Sequence, residues 1–423
     1  MYDGLPIITN KITKEEQKGI PHHLLGSIGL NEETWRVGLF KKKAGQVIQQ
    51  IRSRGRLPIL VGGTHYYTQS LLFEDTLVTD QIDGEDQVQT ELSNLKISER
   101  FPILDGPTET IIERLKEVDP IMADRWHPKD RRKIQRSLEI FLLTGKKASD
   151  IYNEQKAKKN QKIHTSDVSE EGHSESASDP GSPLLFWVHS ESESLKKRLD
   201  MRVDKMMKSG LLDEVKSMDA FLQDQAQAQI DVDRSRGIWV SIGYKEFEQY
   251  LAALKLGTES QKRLDELLAF SIEQTQAATR QYAKRQTRWI RLKLIPSLSN
   301  QNLLDRLYLL DGTDLTSWAR TVSNAASNIA GKFLSGETLP TPSELSDVAK
   351  QLLTPERTYE FSDRSDLWIR RECETCHTIV VTEEQWQSHI KSRTHRRLTK
   401  KKASNGRWVF PDNHGKQVPS DGS

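Results

Sequence analysis

The sequence predicts an α/β fold with a parallel sheet, covering helices and a small metal-binding module near the carboxyl end. Three observations carry this expectation. The apolar run Leu57-Pro58-Ile59-Leu60-Val61 stops at Gly62-Gly63-Thr64-His65. A second run, Leu184-Leu185-Phe186-Trp187-Val188, is followed by apolar residues at helical spacing, Leu195, Leu199, Val203, Met206 and Met207. Both cysteines of the chain fall in Cys373-x2-Cys376-x12-His389-x5-His395. Short apolar runs bounded by turn residues read as strands buried on both faces, and a 3.6-residue repeat reads as a helix facing a core.

In chain order, the residues after Gly62-Gly63-Thr64 can start a helix. Glycines at a strand-to-helix turn let backbone N–H groups approach a ligand closely, and a helix N-terminus favours phosphate. Thr64 would supply one directional hydroxyl, although a tight turn without ligand satisfies the same residues. His22 and His23 follow Pro21, and neighbours on an extended chain point opposite ways, so a shared metal is disfavoured. His127 reads as structural, before Pro128 and an Asp130 able to cap the next helix. That helix buries Ile134, Leu138 and Ile140 and presents Arg132, Lys133 and Arg136.

From about Asn153 to Pro183, Lys, Ser, Glu and Gly dominate, so disorder is expected there. Leu184–Val188 should then add a buried strand to the sheet. Along 279–291, Arg280, Lys284, Arg285, Arg288 and Arg291 surround Tyr282, Trp289 and Ile290. Cations interleaved with aromatics suit a groove that tracks a nucleic-acid backbone, while a solvated helix face has the same composition. In the module at the carboxyl end, two Cys on a hairpin and two His on a helix match the ligand order of a Cys2His2 zinc finger. Ile379-Val380-Val381 reads as its second strand, Trp386 and Ile390 pack beneath the metal, and His377 is a bystander. Lys391, Arg393, Arg396, Arg397 and Lys400 to Lys402 add phosphate-binding charge.

At 423 residues, with 35% hydrophobic and 29% charged, the chain has material for two or three domains with ordinary cores. Its net charge of +2 puts any nucleic-acid contact in local clusters. Two cysteines are too few for a disulfide scaffold. No apolar run approaches the roughly 20 residues of a membrane span, and no signal peptide is visible, so no membrane association is expected. Nothing in the sequence demands more than a monomer.

Further segments align, in order, with one family. Leu5-Pro6-Ile7-Ile8-Thr9-Asn10-Lys11, Gly19-Ile20-Pro21-His22-His23-Leu24-Leu25-Gly26, and Ile59 to Tyr67 are joined by Asp119-Pro120 and Trp126 to Glu139. Ser241-Ile242-Gly243-Tyr244-Lys245-Glu246-Phe247 and Thr279 to Gln286 complete the set. By these motifs the chain resembles the tRNA isopentenyltransferase (tRNA dimethylallyltransferase) family, of the eukaryotic type with a carboxy-terminal zinc finger.

The resemblance implies a sheet like that of phosphate-binding-loop kinases, a helical insertion, and transfer of a dimethylallyl group from its pyrophosphate to N6 of adenosine-37 in tRNA. It assigns Gly62, Gly63, Thr64, Lys245 and Arg280 to the pyrophosphate, with Thr64 and Lys245 catalytic. Relatives in bacteria often carry arginine where Lys245 stands; lysine keeps the charge but gives up the bidentate fork. Arg132, Lys133, Gln135, Arg136, Arg280, Lys284, Arg285 and Trp289 are assigned to tRNA. The implied metals are structural zinc at Cys373, Cys376, His389 and His395, and catalytic Mg²⁺; nucleotide or ATP binding follows from the fold type alone. The family's GxTGxGKS loop and the Asp-Ser-x-Gln segment holding its general base have no match, and Met1-Tyr2-Asp3-Gly4 aligns just after them. The expectation is therefore an amino-terminally truncated transferase with impaired activity. The expected layout is a partial core with helical insertion over 1–150, disorder over 151–183, core and basic helices over 184–335, a linker over 336–365, a finger over 366–402 and a disordered tail over 403–423. Localisation is expected in cytoplasm or mitochondria, or the nucleus. A non-catalytic RNA-binding remnant and an adenylate isopentenyltransferase are the alternatives, the latter having little use for a finger.

Overall fold

The computed structural model describes residues 1–32, 34–73, 100–155, 157, 183–356 and 368–405. The chain divides into two compact units, one comprising 1–83 and 169–360, the other 84–168 and 361–423.

In the first unit, β1 (Leu185–His189) pairs in parallel with β2 (Leu307–Asp311), Trp187 opposite Leu309. Leu307 to Leu310 are all at most 3% exposed, so β2 is buried on both faces. β1 is not, contrary to the expectation for this run. Trp187 packs into the core with Ile290, Leu294, Leu298 and Leu353, while Phe186 and Val188 stay open on the opposite face. Alternation of this kind marks a strand covered on one side.

The run Leu57–Val61 differs more. It is extended but belongs to no strand, and Ile59 and Val61 are 76% and 86% exposed. The expectation of a doubly buried strand is corrected here. A strand exists only through a partner's backbone hydrogen bonds, and among the described residues the two-stranded sheets are β1–β2 and the β3–β4 hairpin described below. The turn that follows does lead into a helix, His65–Leu72, as its sequence indicated.

A second core gathers Leu5, Ile8, Leu211, Val215, Met218, Trp239, Tyr244, Phe247 and Leu251. The helix Ser192–Lys208 buries Val203, as its repeat foretold, and Gly210 (φ 104°) turns the chain into Leu211–Gln227. Glu214 there fixes the amino-terminal segment, its carboxylate accepting the N–H groups of Ile7 (2.8 Å) and Ile8 (2.7 Å). Gly243 is required at its place: φ is 105°, and an added Cβ would stand 3.2 Å from Ile8 Cγ1. The 29-residue helix Gln261–Trp289 spans about 43 Å at 1.5 Å per residue. Ser260 caps its start by accepting from Arg263 N. Its end widens into a π-helical turn, Ile290–Leu294, before Ile295–Asn300. Pro296 explains the widening, because it donates no N–H and its ring crowds the preceding turn. The stretch 336–365, expected as a linker, carries the helix Asp347–Leu353, whose Ala349 and Leu353 join the core around β2. Residues 357–367 lie outside the described set.

The second unit begins with helices Thr108–Val118, Pro120–Arg125 and Arg131–Thr144, which bury Ile111, Leu115, Met122, Ile134 and Leu138. Asp119, fully buried, accepts from Met122 N (3.3 Å) and Ser149 N (2.9 Å). It thus caps Pro120–Arg125 and anchors the helical stretch that starts at 148. Asp119→Ala leaves both donors unpaired and is expected to lower stability by about 2–3 kcal/mol, read as a lower urea midpoint for this unit. The chain remains helical through 148–155, with Ile151 2% exposed. The disorder expected from 151 therefore does not apply to its first residues, and most of that stretch, 158–182, lies outside the described residues. β3 (Trp368–Glu372) and β4 (Ile379–Thr382) form an antiparallel hairpin, followed by helices Glu383–Ile390 and Arg393–Asn405. Thr382 caps the first of these by accepting from Gln385 N. The tail from 406 lies outside the described residues.

Candidate functional site

Gly62, Gly63 and Thr64 are exposed and lead into the helix His65–Leu72. Neither glycine has a positive φ, and a Cβ on Gly62 would meet nothing within 4 Å. The fold itself therefore does not require glycine here; the missing side chains leave the turn's backbone open to an incoming group. Thr64 stands at the N-cap without a side-chain capping bond, so its hydroxyl remains available.

The long helix holds this turn in place. Trp289 donates its indole N–H to Gln69 Oε1 (3.3 Å), and Gln69 Nε2 donates to Ser297 Oγ (3.2 Å). Tyr66 meets Trp289 edge-on at 6.3 Å, and Tyr67 donates to Trp35 O (3.2 Å). Gln286 reaches over Gly63, with its Oε1 3.7 Å from where a Cβ would be. Trp289, assigned to tRNA by resemblance, is thus occupied in fastening the turn. His65 is half-buried, and burial pushes its imidazole below the ordinary histidine range, favouring the neutral form.

The other assigned residues separate. Arg280 pairs with Asp200 and lies six residues, about 9 Å along the helix, before Gln286. Lys245 is exposed on the single turn Lys245–Phe247, anchored by the fully buried Phe247. Among the described residues, no hydrogen bond or ion pair joins either to Gly62–Thr64. Lys284 and Arg285 are exposed on the same long helix, beside the 40% exposed Tyr282.

In the second unit, Arg132 and Lys133 face solvent. Lys133 is held by Asp130 at 2.8 Å, so that carboxylate grips a lysine in place of the helix cap expected of it. Gln135 donates to Leu104 O (3.1 Å), and Arg136 pairs with the buried Glu139 (3.0 Å); both serve the packing of the helix. His127 is structural as read. Its Nδ1 accepts from Lys129 N (3.1 Å), which leaves Nε2 to donate to Ile379 O (3.1 Å). Neither residue type nor spacing disclosed Arg125, whose guanidinium lies 4.7, 5.0 and 4.2 Å from the ring centroids of Trp126, Tyr152 and Trp368.

The donor atoms of Cys373, Cys376, His389 and His395 lie within 4.8 Å of one another. Cys376 Sγ is 3.1 Å from His389 Nε2 and 3.7 Å from His395 Nδ1; Cys373 Sγ is 3.5 Å from His395 Nδ1. Tetrahedral bonds of about 2.3 Å to sulfur and about 2.0 Å to nitrogen put sulfur and nitrogen about 3.5 Å apart, so the cluster fits one metal ion. Burial pushes the Cys373 thiol up, but His389 and the N–H groups of Thr375 and Cys376 outweigh it and pull the thiol down to about 6. A thiolate at neutral pH is the form that binds metal. His377 stays outside, 78% exposed and beside Glu372.

The family model for IPP transferase matches residues 1–293. A tRNA dimethylallyltransferase of Schizosaccharomyces pombe is 35% identical over 420 residues, covering 95% of this chain and 87% of the relative. The Homo sapiens tRNA dimethylallyltransferase is 30% identical over 410 residues, covering 95% and 79%. Among solved structures, a eukaryotic dimethylallyltransferase acting on tRNA aligns with a TM-score of 0.70 at 31% identity, covering 96% of this chain and 89% of that one.

Proposed function

Since the chain belongs to the IPP transferase family, we propose that it modifies tRNA, forming a bond from the dimethylallyl C1 to N6 of the adenosine beside the anticodon. The observation that carries this reading is the match, in sequence and fold, over at least 95% of this chain to a tRNA dimethylallyltransferase and to a dimethylallyltransferase acting on tRNA. In the reaction the C1–O bond to pyrophosphate breaks, the N6–C1 bond forms, and N6 gives up one proton. The diphosphate leaves with the bonding electrons.

The bare turn Gly62–Thr64 at a helix N-terminus supports a place for the diphosphate, with the Thr64 hydroxyl as a directional donor. The proposed sheet is the phosphate-binding-loop kinase type, and its parallel β1–β2 pair is consistent with that. Lys245 and Arg280 add cationic charge from the same unit, Arg280 by exchanging its bond to Asp200 for one to phosphate. The side chains of the turn supply one hydroxyl and no carboxylate, which does not hold Mg²⁺ without the substrate's phosphates.

The Cys2His2 cluster is proposed to hold zinc, which would tie hairpin to helix. Exposed Arg132, Lys133, Lys284 and Arg285, with the basic helix Arg393–Asn405, are proposed to take phosphates of the anticodon arm. Cytoplasmic or mitochondrial residence and a monomeric state complete the proposal. The test is affinity for an anticodon-arm RNA against salt. Arg132→Ala with Lys133→Ala, or Lys284→Ala with Arg285→Ala, is expected to weaken binding about tenfold and reduce the slope of log K against log salt by about 1.5. Unchanged affinity and slope in both pairs would remove these helices from the interface.

A further inference from the structure

We propose that the Cys/His hairpin is not a tethered module but is docked as a fixed body on the helices of its own unit, with Arg125 as the positioning residue. Its guanidinium is the central piece. Trp126 and Tyr152 flank it from the helical side, and Trp368 of β3 lies over it from the hairpin side, the nearest of the three at 4.2 Å. A guanidinium is attracted to each aromatic face it meets, the more so where water is excluded, so three rings around this one half-buried group hold it firmly.

The helical half of this cage is itself rigid. Trp126 donates its indole N–H to Ser137 Oγ (2.9 Å), fixing the ring to the helix Arg131–Thr144. Tyr152 is largely withdrawn from water, and burial raises its phenol above the ordinary value. Two polar contacts flank the cage: His127 Nε2 donates to the Ile379 carbonyl of β4 (3.1 Å), and Asp124 meets Arg370 of β3 at 3.5 Å. Both hairpin strands are therefore held, through three contacts whose partners are far apart in sequence.

The arrangement has a consequence for RNA, which rests on the function proposed above. Lys133 also stands over the Trp126 ring, 5.0 Å from its centroid. An RNA-facing lysine and the residue that seats the hairpin thus share one ring. The basic helix Arg393–Asn405 and the Arg132–Lys133 face then present their charges at a fixed spacing, and RNA binding does not have to order a loose module, which would cost affinity.

The test uses the full chain loaded with zinc, and the variants Arg125→Ala, Trp368→Ala and Arg125→Lys. In the unchanged protein, amide ¹⁵N relaxation for Ile379–Ile390 is expected to match that of the helix Arg131–Thr144. Arg125→Ala and Trp368→Ala are expected to free the hairpin into independent nanosecond motion with zinc content unchanged, and to weaken anticodon-arm RNA about tenfold. Arg125→Lys, which keeps the charge but loses the flat stacking surface, is expected to fall between. Independent tumbling in the unchanged protein, or no change on Arg125→Ala, would overturn the docking. Should the unchanged protein fail to bind RNA while the relaxation results hold, the function fails and the docking stands.

Discussion

Cys373→Ser is expected to release the metal and unfold the hairpin with its helix, while the first unit keeps its structure. The reason is the smallness of the module. Of β3, β4 and the helix Glu383–Ile390, only Val380 and Thr382 fall in the buried class, and Cys373 itself is 3% exposed. Two such side chains cannot offset the ordering of about forty residues, at roughly 1–2 kcal/mol of backbone entropy each. Metal binding can, since structural zinc supplies about 10–16 kcal/mol of apparent folding free energy in small fingers. Serine keeps the volume but not the thiolate. The measurement is zinc stoichiometry together with hydrogen exchange: the metal falls toward zero and amides of 368–390 lose protection, while those of Gln261–Trp289 are unchanged. A chelator should have the same effect on the unsubstituted protein.

The second large effect concerns catalysis. Thr64→Ala with Lys245→Ala is expected to lower the initial rate of isoprene incorporation into tRNA by about 10⁴-fold or more, because removing one donor to a developing negative charge typically costs about 10²–10³. The turn Gly62–Thr64 offers a hydroxyl and open backbone, and burial lowers the pKa of His65 beside it. That set resembles one wall of a diphosphate site.

What the sequence disclosed and what it hid follow from how each feature is encoded. The Cys2His2 set was legible because ligand spacing is local and zinc geometry admits few alternatives. The helix after Gly62-Gly63-Thr64 was legible for the same local reason. Leu57–Val61 was misread because an apolar run reports a tendency to be buried, whereas a strand requires a partner that no local pattern names. Phe186 and Val188 were misjudged similarly, since only the tertiary layout says which face of β1 is covered. The Asp347–Leu353 helix escaped because its buried signal is two residues long. Arg125 was invisible for a different reason: its cage is assembled from Trp126, Tyr152 and Trp368, and nothing in composition links the last of these to the others. Charge alone likewise failed to separate Arg132, which is open, from Arg136, which is bound to Glu139.

The central claim, that the turn at Gly62–Thr64 works as the diphosphate end of a tRNA dimethylallyl transfer site, is tested most directly by mass analysis of tRNA nucleosides. The tRNA is incubated with dimethylallyl pyrophosphate, Mg²⁺ and the full chain. The expected result is one isoprene unit gained on the adenosine beside the anticodon, reduced about a hundredfold or more by Thr64→Ala with RNA affinity intact. Unmodified adenosine from a folded, RNA-binding protein, or full activity in Thr64→Ala, would contradict the account.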